Sequence, residues 1–171
     1  MRLKLFGLFF VLCTIPYVMT LNYTAVMLDY GIIIEPLKTV SGPLELIKTY
    51  KDGSNPDIQP IRDLSHMIDI FLSNYINENT VSLFHNLILL AFIAFLLFRN
   101  FLLIGIEKKT AYLLIAIVLS HPATFHIFIE FTARKHILSF LFAQLSFYFY
   151  LKSKFQVKKD YLKSLFFYLL S

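Results

Sequence analysis

Long apolar segments alternate with short charged ones along this chain, and the alternation predicts helices that cross a membrane. A helix needs about 20 largely apolar residues to cross the roughly 30 Å hydrocarbon layer. The uncharged or nearly uncharged segments are Leu5–Leu28, Thr80–Phe98, Thr110–Ile129 and Ile137–Leu151, and another apolar run begins at Ser164. The pattern therefore predicts an all-α bundle of four crossing helices and the start of a fifth.

The first segment, residues 1–28, has two interpretations. A cleaved signal peptide carries an apolar run of about 7–15 residues and a small-residue cleavage site. No such site follows Thr14, and Cys13 follows Leu12 rather than a small residue, which disfavours a lipoprotein anchor. We predict an uncleaved signal anchor and keep the cleaved signal peptide as the alternative.

Composition and charge support a membrane protein. The chain is 57% hydrophobic and 16% charged, whereas soluble domains are about 45–50% apolar and about 25% charged. The net charge of +5 would suit a nucleic-acid partner if it were evenly spread. Residues 21–81 instead hold eight acids against four bases, and the rest of the chain holds twelve bases against three acids. Such segregation is typical of a chain that crosses a membrane, and we predict no nucleic-acid partner.

The distribution of bases orients the predicted helices. Cytoplasmic loops are enriched in Lys and Arg, which places the N-terminus and the turns Arg99–Lys109 and Lys152–Lys163 in the cytoplasm. The 21–81 loop and the 130–136 turn then lie outside. We predict a multi-pass protein of the bacterial inner membrane, with membrane lipids among its partners. Residues 80–171 hold the second to fourth crossings and the start of the fifth.

The outer loop, residues 29–79, is predicted to hold two amphipathic helices. Leu37–Tyr50 and Ile61–Asn74 have apolar residues at helical spacing, with a turn at Asp52–Pro56 between them. In the second stretch Asp63 and His66 lie off the face that the other residues share (Ile61, Leu64, Ser65, Ile68 and Leu72). We expect both helices to lie on the outer membrane surface.

Asp29 is the first candidate for chemistry. It is the first acid after 24 uncharged residues, so it is expected where the first helix leaves the bilayer. A partly desolvated carboxylate at that depth is suited to act as a general base on a hydroxyl. The alternative is an interfacial Asp that merely ends the helix.

His121 and Pro122 mark a break in the third predicted crossing. Proline removes a backbone hydrogen bond and breaks a helix. The break would direct His121 and the polar residues after it, His126 and Glu130, into a cavity. We therefore predict that these four residues line one.

Arg134 and Lys135 are a pair of bases on the outer side, against the positive-inside rule. They could neutralise a phosphate or diphosphate, Arg through a forked pair of hydrogen bonds and Lys as a point charge. Anchoring to lipid headgroups is the alternative.

A metal site has weak support in the sequence. His126 and Glu130 are four residues apart and would share a helix face, and His136 could approach them. These residues form no tight ligand motif, so we predict no cofactor and leave a divalent metal as an open alternative.

Three stretches together resemble one family. Gln59–Asp69 (QPIRDLSHMID) is similar to the pattern R-P-x-x-x-L-S-H-x-x-D, and Phe84–Leu87 is similar to H-x-x-N. His121-Pro122 followed by Ala133–Ser139 (ARKHILS) is similar to H-P…A-R-K-H-L-L-S. These patterns belong to the multi-spanning, tetratricopeptide-carrying O-mannosyltransferase-like proteins of the GT-C glycosyltransferase class. The resemblance covers roughly residues 1–151.

The resemblance implies a function. GT-C enzymes take a sugar from a polyprenyl-phosphate donor and transfer it, with inversion, to an acceptor protein or glycan at the outer face. It implies Asp29 as catalytic base and places Arg134, Lys135 and His136 near the donor phosphate. The chain would be the N-terminal part of such an enzyme, truncated and inactive alone. The alternative is a non-enzymatic membrane subunit or lipid-binding scaffold.

Overall fold

The computed structural model describes residues 30–51, 59–121, 124, 133–153 and 158–170, together with Gly7 and Val11. The predicted first crossing, apart from Gly7 and Val11, and the predicted turn at Asp52–Pro56 lie outside these residues. Within them all regular elements are α-helices, as predicted for the fold class. They are α1 (Tyr30–Lys38), α2 (Pro43–Lys51), α3 (Pro60–Ser73), α4 (Glu78–Leu103), α5 (Lys108–Ser120), α6 (Arg134–Ser153) and α7 (Lys158–Leu170).

The predicted single helix at Leu37–Tyr50 is wrong, because α1 ends at Lys38 and α2 begins at Pro43. Proline has no backbone N–H and disfavours a helical conformation in the residue before it. The backbone N–H and the hydroxyl of Ser41 both donate to the Glu45 carboxylate at 2.6 Å, which ties the connecting segment to the first turn of α2.

Helix α4 is the second predicted crossing. Its segment Thr80–Leu103 is the one candidate span among the described helices by length and composition. The helix continues past the predicted end at Phe98, so Arg99 lies within it rather than in a turn. The chain reverses at residues 104–107, where Gly105 has a φ of 88°, a conformation that glycine adopts readily.

Helix α5 ends where the sequence predicts a break. His121, which follows its last residue, has an extended backbone with ψ of 131°, as expected for a residue before proline. The described helix has 13 residues, a length of about 20 Å. The predicted continuation to Ile129 lies, apart from Thr124, outside the described residues.

Helices α6 and α7 differ from the prediction at their ends. α6 begins at Arg134, three residues before the predicted crossing at Ile137, and runs for 20 residues. α7 begins at Lys158, so the second half of the predicted turn at Lys152–Lys163 is helical. The hydroxyl of Ser146 on α6 donates to the carbonyl of Ser164 on α7 at 2.9 Å.

Helix α4 lies at the centre of the core. One side packs against α5 and the other against α6, and Ala91 and Ala94 on α4 are fully buried. Small residues of this kind allow helices to approach closely. The α5 side is formed by Leu87, Ala94, Phe98, Ala111, Ile115 and Leu119. The α6 side is formed by Leu89, Ile93, Ile137 and Leu138.

Helices α4 and α6 run in the same direction. Near their starts, the Arg134 guanidinium donates to Asn86 at 2.9 Å. Further along both helices, the Asn100 side chain donates to the Gln144 side chain at 2.9 Å. The first turn of α6 therefore lies at the same end of the bundle as the first turns of α4.

Helix α3 packs against the bundle through its polar side. Its polar residues face the bundle and are buried, whereas Leu64, Ile68 and Leu72 are exposed. Ser65 lies on the buried polar side with Asp63 and His66, not on the face it was predicted to share with those leucines and isoleucine. The orientation follows from the partners, because α4 and α6 present polar groups to this helix.

Candidate functional site

A group of buried polar side chains joins α3, α4 and α6. It consists of Ser65 and Asp69 on α3, Ser82, His85 and Asn86 on α4, and Arg134 on α6, and we call it the polar cluster. Ser65 and Asp69 are four residues apart, as are Ser82 and Asn86, so each pair occupies one face of its helix. These faces meet around the side chain of Arg134.

Arg134 is fully buried and hydrogen-bonded at every nitrogen of its guanidinium. Nε donates to Asn86, and Nη1 donates to the Asp69 carboxylate at 2.5 Å and to the Ser65 hydroxyl at 3.3 Å. Nη2 donates to the carbonyl and the hydroxyl of Ser82, both at 3.1 Å. Asp69 compensates the positive charge. The guanidinium therefore holds three helices together.

Asp69 connects Arg134 to a partly exposed histidine. Its second carboxylate oxygen lies 2.7 Å from Nδ1 of His85. Burial alone would raise the pKa of Asp69, but the hydrogen bond from His85 and the charge of Arg134 outweigh burial and hold that pKa below its ordinary value. An ionised Asp69 accepts a hydrogen bond from Nδ1 of His85, so Asp69 orients the histidine ring as well as the Arg134 guanidinium.

His66 is buried beside the polar cluster. Burial lowers its pKa to about 3, and the nearby charge of Arg134 acts in the same direction. Its Nε2 atom has no hydrogen-bond partner among the described residues. His66 is therefore neutral at physiological pH.

A second ion pair lies at the start of α3. Both the Nε and the Nη2 atoms of Arg62 lie 2.7 Å from one carboxylate oxygen of Asp63, and both side chains are buried. The Tyr50 hydroxyl donates to the other carboxylate oxygen at 2.7 Å. The hydrogen bond from Tyr50 ties α2 to this pair on α3.

A groove of about 360 Å³ opens beside this second pair. The first turns of α3 and α6 line it, together with the end of α7. Arg62, Lys135, His136 and Ser139 supply polar groups, and Leu138 and Phe142 supply apolar surface. Lys135 and His136 are exposed, so the groove carries an accessible positive charge.

An apolar cavity of about 260 Å³ lies between α4, α5 and α6. Leu90, Leu97, Leu119 and Phe140 are among its lining residues. His136 borders this cavity as well as the groove. His136 therefore lines both the cationic groove and the apolar cavity.

The structure separates the predicted site residues. Arg134, Lys135 and His136 form the first turn of α6, with Arg134 turned into the polar cluster and the other two exposed. His121 is exposed at the end of α5. The remaining candidates lie outside the described residues (Asp29, Pro122, His126 and Glu130).

Sequence reasoning missed that the three stretches of the family resemblance meet in space. The polar cluster takes Ser65 and Asp69 from the first stretch, His85 and Asn86 from the second and Arg134 from the third. The available signal was the four-residue spacing of polar side chains within otherwise apolar helices, since such residues are buried only with partners.

Metal ligands are not assembled in the part of the chain that the structure describes, where no group of three His, Cys, Asp or Glu side chains could hold an ion. His126 and Glu130, the pair considered from the sequence, lie outside that part.

Comparison of the chain with known protein families, with curated proteins and with solved structures finds no match.

Proposed function

We propose that this chain forms the donor-binding part of a GT-C-type, inverting glycosyltransferase that uses a polyprenyl-phosphate sugar at the outer face of the membrane. The observation that carries the proposal is the position of His136 between the cationic groove and the apolar cavity. A polyprenyl phosphate needs a cationic surface that binds its phosphate next to an apolar surface that contacts its hydrocarbon chain.

Lys135 is the residue to which we assign the phosphate. It is exposed in the groove, and an ammonium group binds phosphate as a point charge. The first turns of α3 and α6 also line the groove, and helix starts carry partial positive charge that favours anions. His136 adds a hydrogen-bond donor on the same turn.

Arg134 holds this turn in place in the proposal. Its hydrogen bonds to the polar cluster occupy every guanidinium nitrogen, so Arg134 supports the turn and does not itself bind the phosphate. A buried guanidinium fixed at three helices gives Lys135 and His136 a rigid base.

In the proposed reaction an acceptor hydroxyl attacks the anomeric carbon of the donor sugar. Asp29 takes the hydroxyl proton, a role that comes from the sequence resemblance. The bond between the anomeric carbon and the phosphate oxygen breaks, and polyprenyl phosphate leaves with the electron pair. Lys135 stabilises the charge that develops on the leaving phosphate.

A multi-pass topology with a cytoplasmic N-terminus is also proposed. The parallel course of α4 and α6 supports it, because two parallel crossings need a return crossing between them. The predicted third crossing, which begins with α5, supplies that return. The first turns of α4 and α6 then lie together at the outer side.

Replacement of Lys135 tests the proposed donor site. Polyprenyl phosphate binding is measured on the full chain in lipid nanodiscs by microscale thermophoresis. We expect Lys135→Gln to weaken binding roughly tenfold to a hundredfold, because hydrogen bonds to charged groups contribute about 1.5–3 kcal/mol. Lys109→Gln, a matched change of an exposed lysine on the first turn of α5, should leave binding unchanged. Equal binding by both variants would remove Lys135 from the site.

A non-enzymatic lipid-binding subunit is the second candidate function. The groove and the cavity favour it equally, since binding a lipid phosphate needs no transfer step. The two candidates differ at Asp29. Loss of sugar transfer when the residue equivalent to Asp29 is changed to Asn in a full-length homologue, with lipid binding retained, supports the enzyme. Lipid binding by the unchanged full-length homologue without any transfer supports the subunit.

A further inference from the structure

We infer that α3 is immersed in the outer leaflet of the bilayer, antiparallel to α4, with lipid acyl chains covering its exposed face. This deepens the proposed function by giving the depth at which the groove opens. It rests on the proposed membrane placement of α4. The sequence alone predicts a helix on the membrane surface, with its polar face in water.

The exposed face of α3 is apolar. Ile68 and Phe71 on α3 are 53% and 62% exposed, and Leu64 and Leu72 beside them are also exposed. The ionisable residues of this stretch, His66 and Asp69, are both buried. The outward side is therefore apolar and uncharged over the last three turns of the helix. Contiguous apolar surfaces of this kind mark contact with a membrane or a protein.

The polar side of α3 is buried in protein. A helix lying on a membrane surface keeps its charged side in water. In α3 that side is covered by α4 and α6, with Asp69 bound to Arg134 and Ser82. The polar side of α3 is therefore not in water, and α3 does not lie on the membrane as a surface helix does.

The contacts of α3 give the depth that it reaches. Asp69 contacts Ser82 and His85 near the start of α4, whereas Ile61 packs against the cluster formed by Leu89, Ile93, Ile137 and Leu138, whose α4 members lie further along α4. The two helices are therefore antiparallel. The candidate span begins at Thr80, about 14 Å before Leu89 along the helix axis, so α3 runs along the outer part of that span.

Lipid is the occupant that the surroundings favour. The exposed face of α3 leads through Tyr75 and Ile76, both exposed, into α4, which itself exposes Phe84 and Phe92. Tyrosine is enriched where helices meet the membrane interface. The same lipid that surrounds α4 therefore continues over α3.

The groove explains how the chain enters α3 at this depth. Backbone that is not helical is tolerated within a membrane only where it is buried in protein or lines a polar cavity. Gln59, which precedes α3, lines the groove with Arg62 and Lys135. The phosphate of a lipid would then reach Lys135 from within the outer leaflet.

Collision-accessibility measurements on spin labels test this inference. Single-cysteine variants Ile68→Cys and Phe71→Cys are made in a Cys13→Ser background, labelled with a nitroxide and reconstituted as full chains in phosphatidylcholine–phosphatidylglycerol liposomes. We expect both labels to collide more with apolar oxygen than with a water-soluble nickel chelate. Phe92→Cys on α4 is the lipid reference, and Lys51→Cys at the end of α2 is the water reference.

The references separate the possible failures. Nickel-accessible labels at positions 68 and 71, with an oxygen-accessible label at 92, would overturn the inference and leave the membrane placement of α4 standing. A nickel-accessible label at 92 as well would overturn both. Low accessibility to both reagents with dipolar broadening at position 68 would show that a second copy covers α3 and would overturn the inference. None of these results depends on phosphate binding at Lys135.

Discussion

At the scale of single residues, the buried charge of Arg134 is the feature with the largest energetic consequence. An isolated buried charge is strongly unfavourable, and Arg134 is accommodated because Asp69 and five further hydrogen-bond acceptors surround it. Such a pair adds little net stability over well-packed apolar residues, but the removal of one partner leaves the other charge uncompensated. The pair therefore fixes which faces of α3, α4 and α6 meet.

Replacement of one partner tests this role. We expect Arg134→Met to lower the free energy of unfolding by about 3–5 kcal/mol, because Asp69 is left buried without its counter-ion. Thermal unfolding in detergent, followed by circular dichroism, measures the loss. Lys135→Met, on the next position but exposed, should change stability by less than about 0.5 kcal/mol. Comparable unfolding temperatures for the two variants would contradict a structural role for the buried pair.

His66 makes stability depend on pH. Its pKa falls from 6.5 to about 3 on folding, so the folded state holds the neutral form and the unfolded state takes up the proton. The contribution of neutral His66 to the free energy of unfolding is therefore fully present above pH 6.5 and is lost progressively as the pH falls toward 3. Lowering the pH from 7 to 5 should reduce the free energy of unfolding by about 2 kcal/mol.

A His66→Gln variant isolates this effect. The variant should lose the decline between pH 7 and pH 5, measured by denaturant unfolding at each pH. Asp69 does not interfere, because its pKa is held below 3.8 in the folded state and its contribution is lost only at lower pH. An unchanged pH dependence in the variant would show that His66 is not the group responsible.

At the scale of helices, α3 shows what periodicity determines and what it does not. The apolar spacing predicts Ile61–Asn74, and the helix runs Pro60–Ser73. Periodicity divides a helix into two faces without stating which face is buried. That choice depends on Ser82, Asn86 and Arg134, which lie outside α3 and present polar groups to it.

The turn between α4 and α5 depends on one glycine. Gly105 has a φ of +88°, and a Cβ added there would meet no atom within 4 Å. The penalty for Gly105→Ala is therefore in the backbone alone, and we expect a loss of about 1–2 kcal/mol in unfolding free energy. Gly42→Ala, also in open space but without a positive φ, is the matched control in the same assay. An equal effect of both substitutions would contradict the assigned strain.

At the scale of the whole molecule, the sequence predicts the all-α class and most helix positions, because the length of an apolar segment can be read from consecutive residues. The polar cluster was not predictable in this way, since Arg134 bonds to side chains 48 to 69 residues earlier in the chain. Such pairings are set by helix packing, and one polar residue in an apolar helix does not identify its partner. The three stretches of the family resemblance contain the residues of the cluster except Ser82, but they do not show the contacts between them.

The packing of the whole molecule also determines which of the predicted site residues reach the groove. Three residues were predicted to lie near the donor phosphate. Lys135 and His136 line the groove, whereas Arg134 faces inward. Three consecutive basic residues do not indicate which of them faces inward. Consecutive residues of a helix point about 100° apart, and the neighbouring helices decide which direction is buried. Asp29 stays a prediction from the sequence.

The most direct test of the central claim, that the groove binds a lipid phosphate, is photo-crosslinking. A polyprenyl phosphate analogue with a benzophenone group next to the phosphate is irradiated with the full chain in nanodiscs, and labelled peptides are mapped by mass spectrometry. The account predicts saturable labelling within residues 59–62 and 135–142, which natural polyprenyl phosphate suppresses. Saturable labelling confined to other segments, or no saturable labelling, would contradict it.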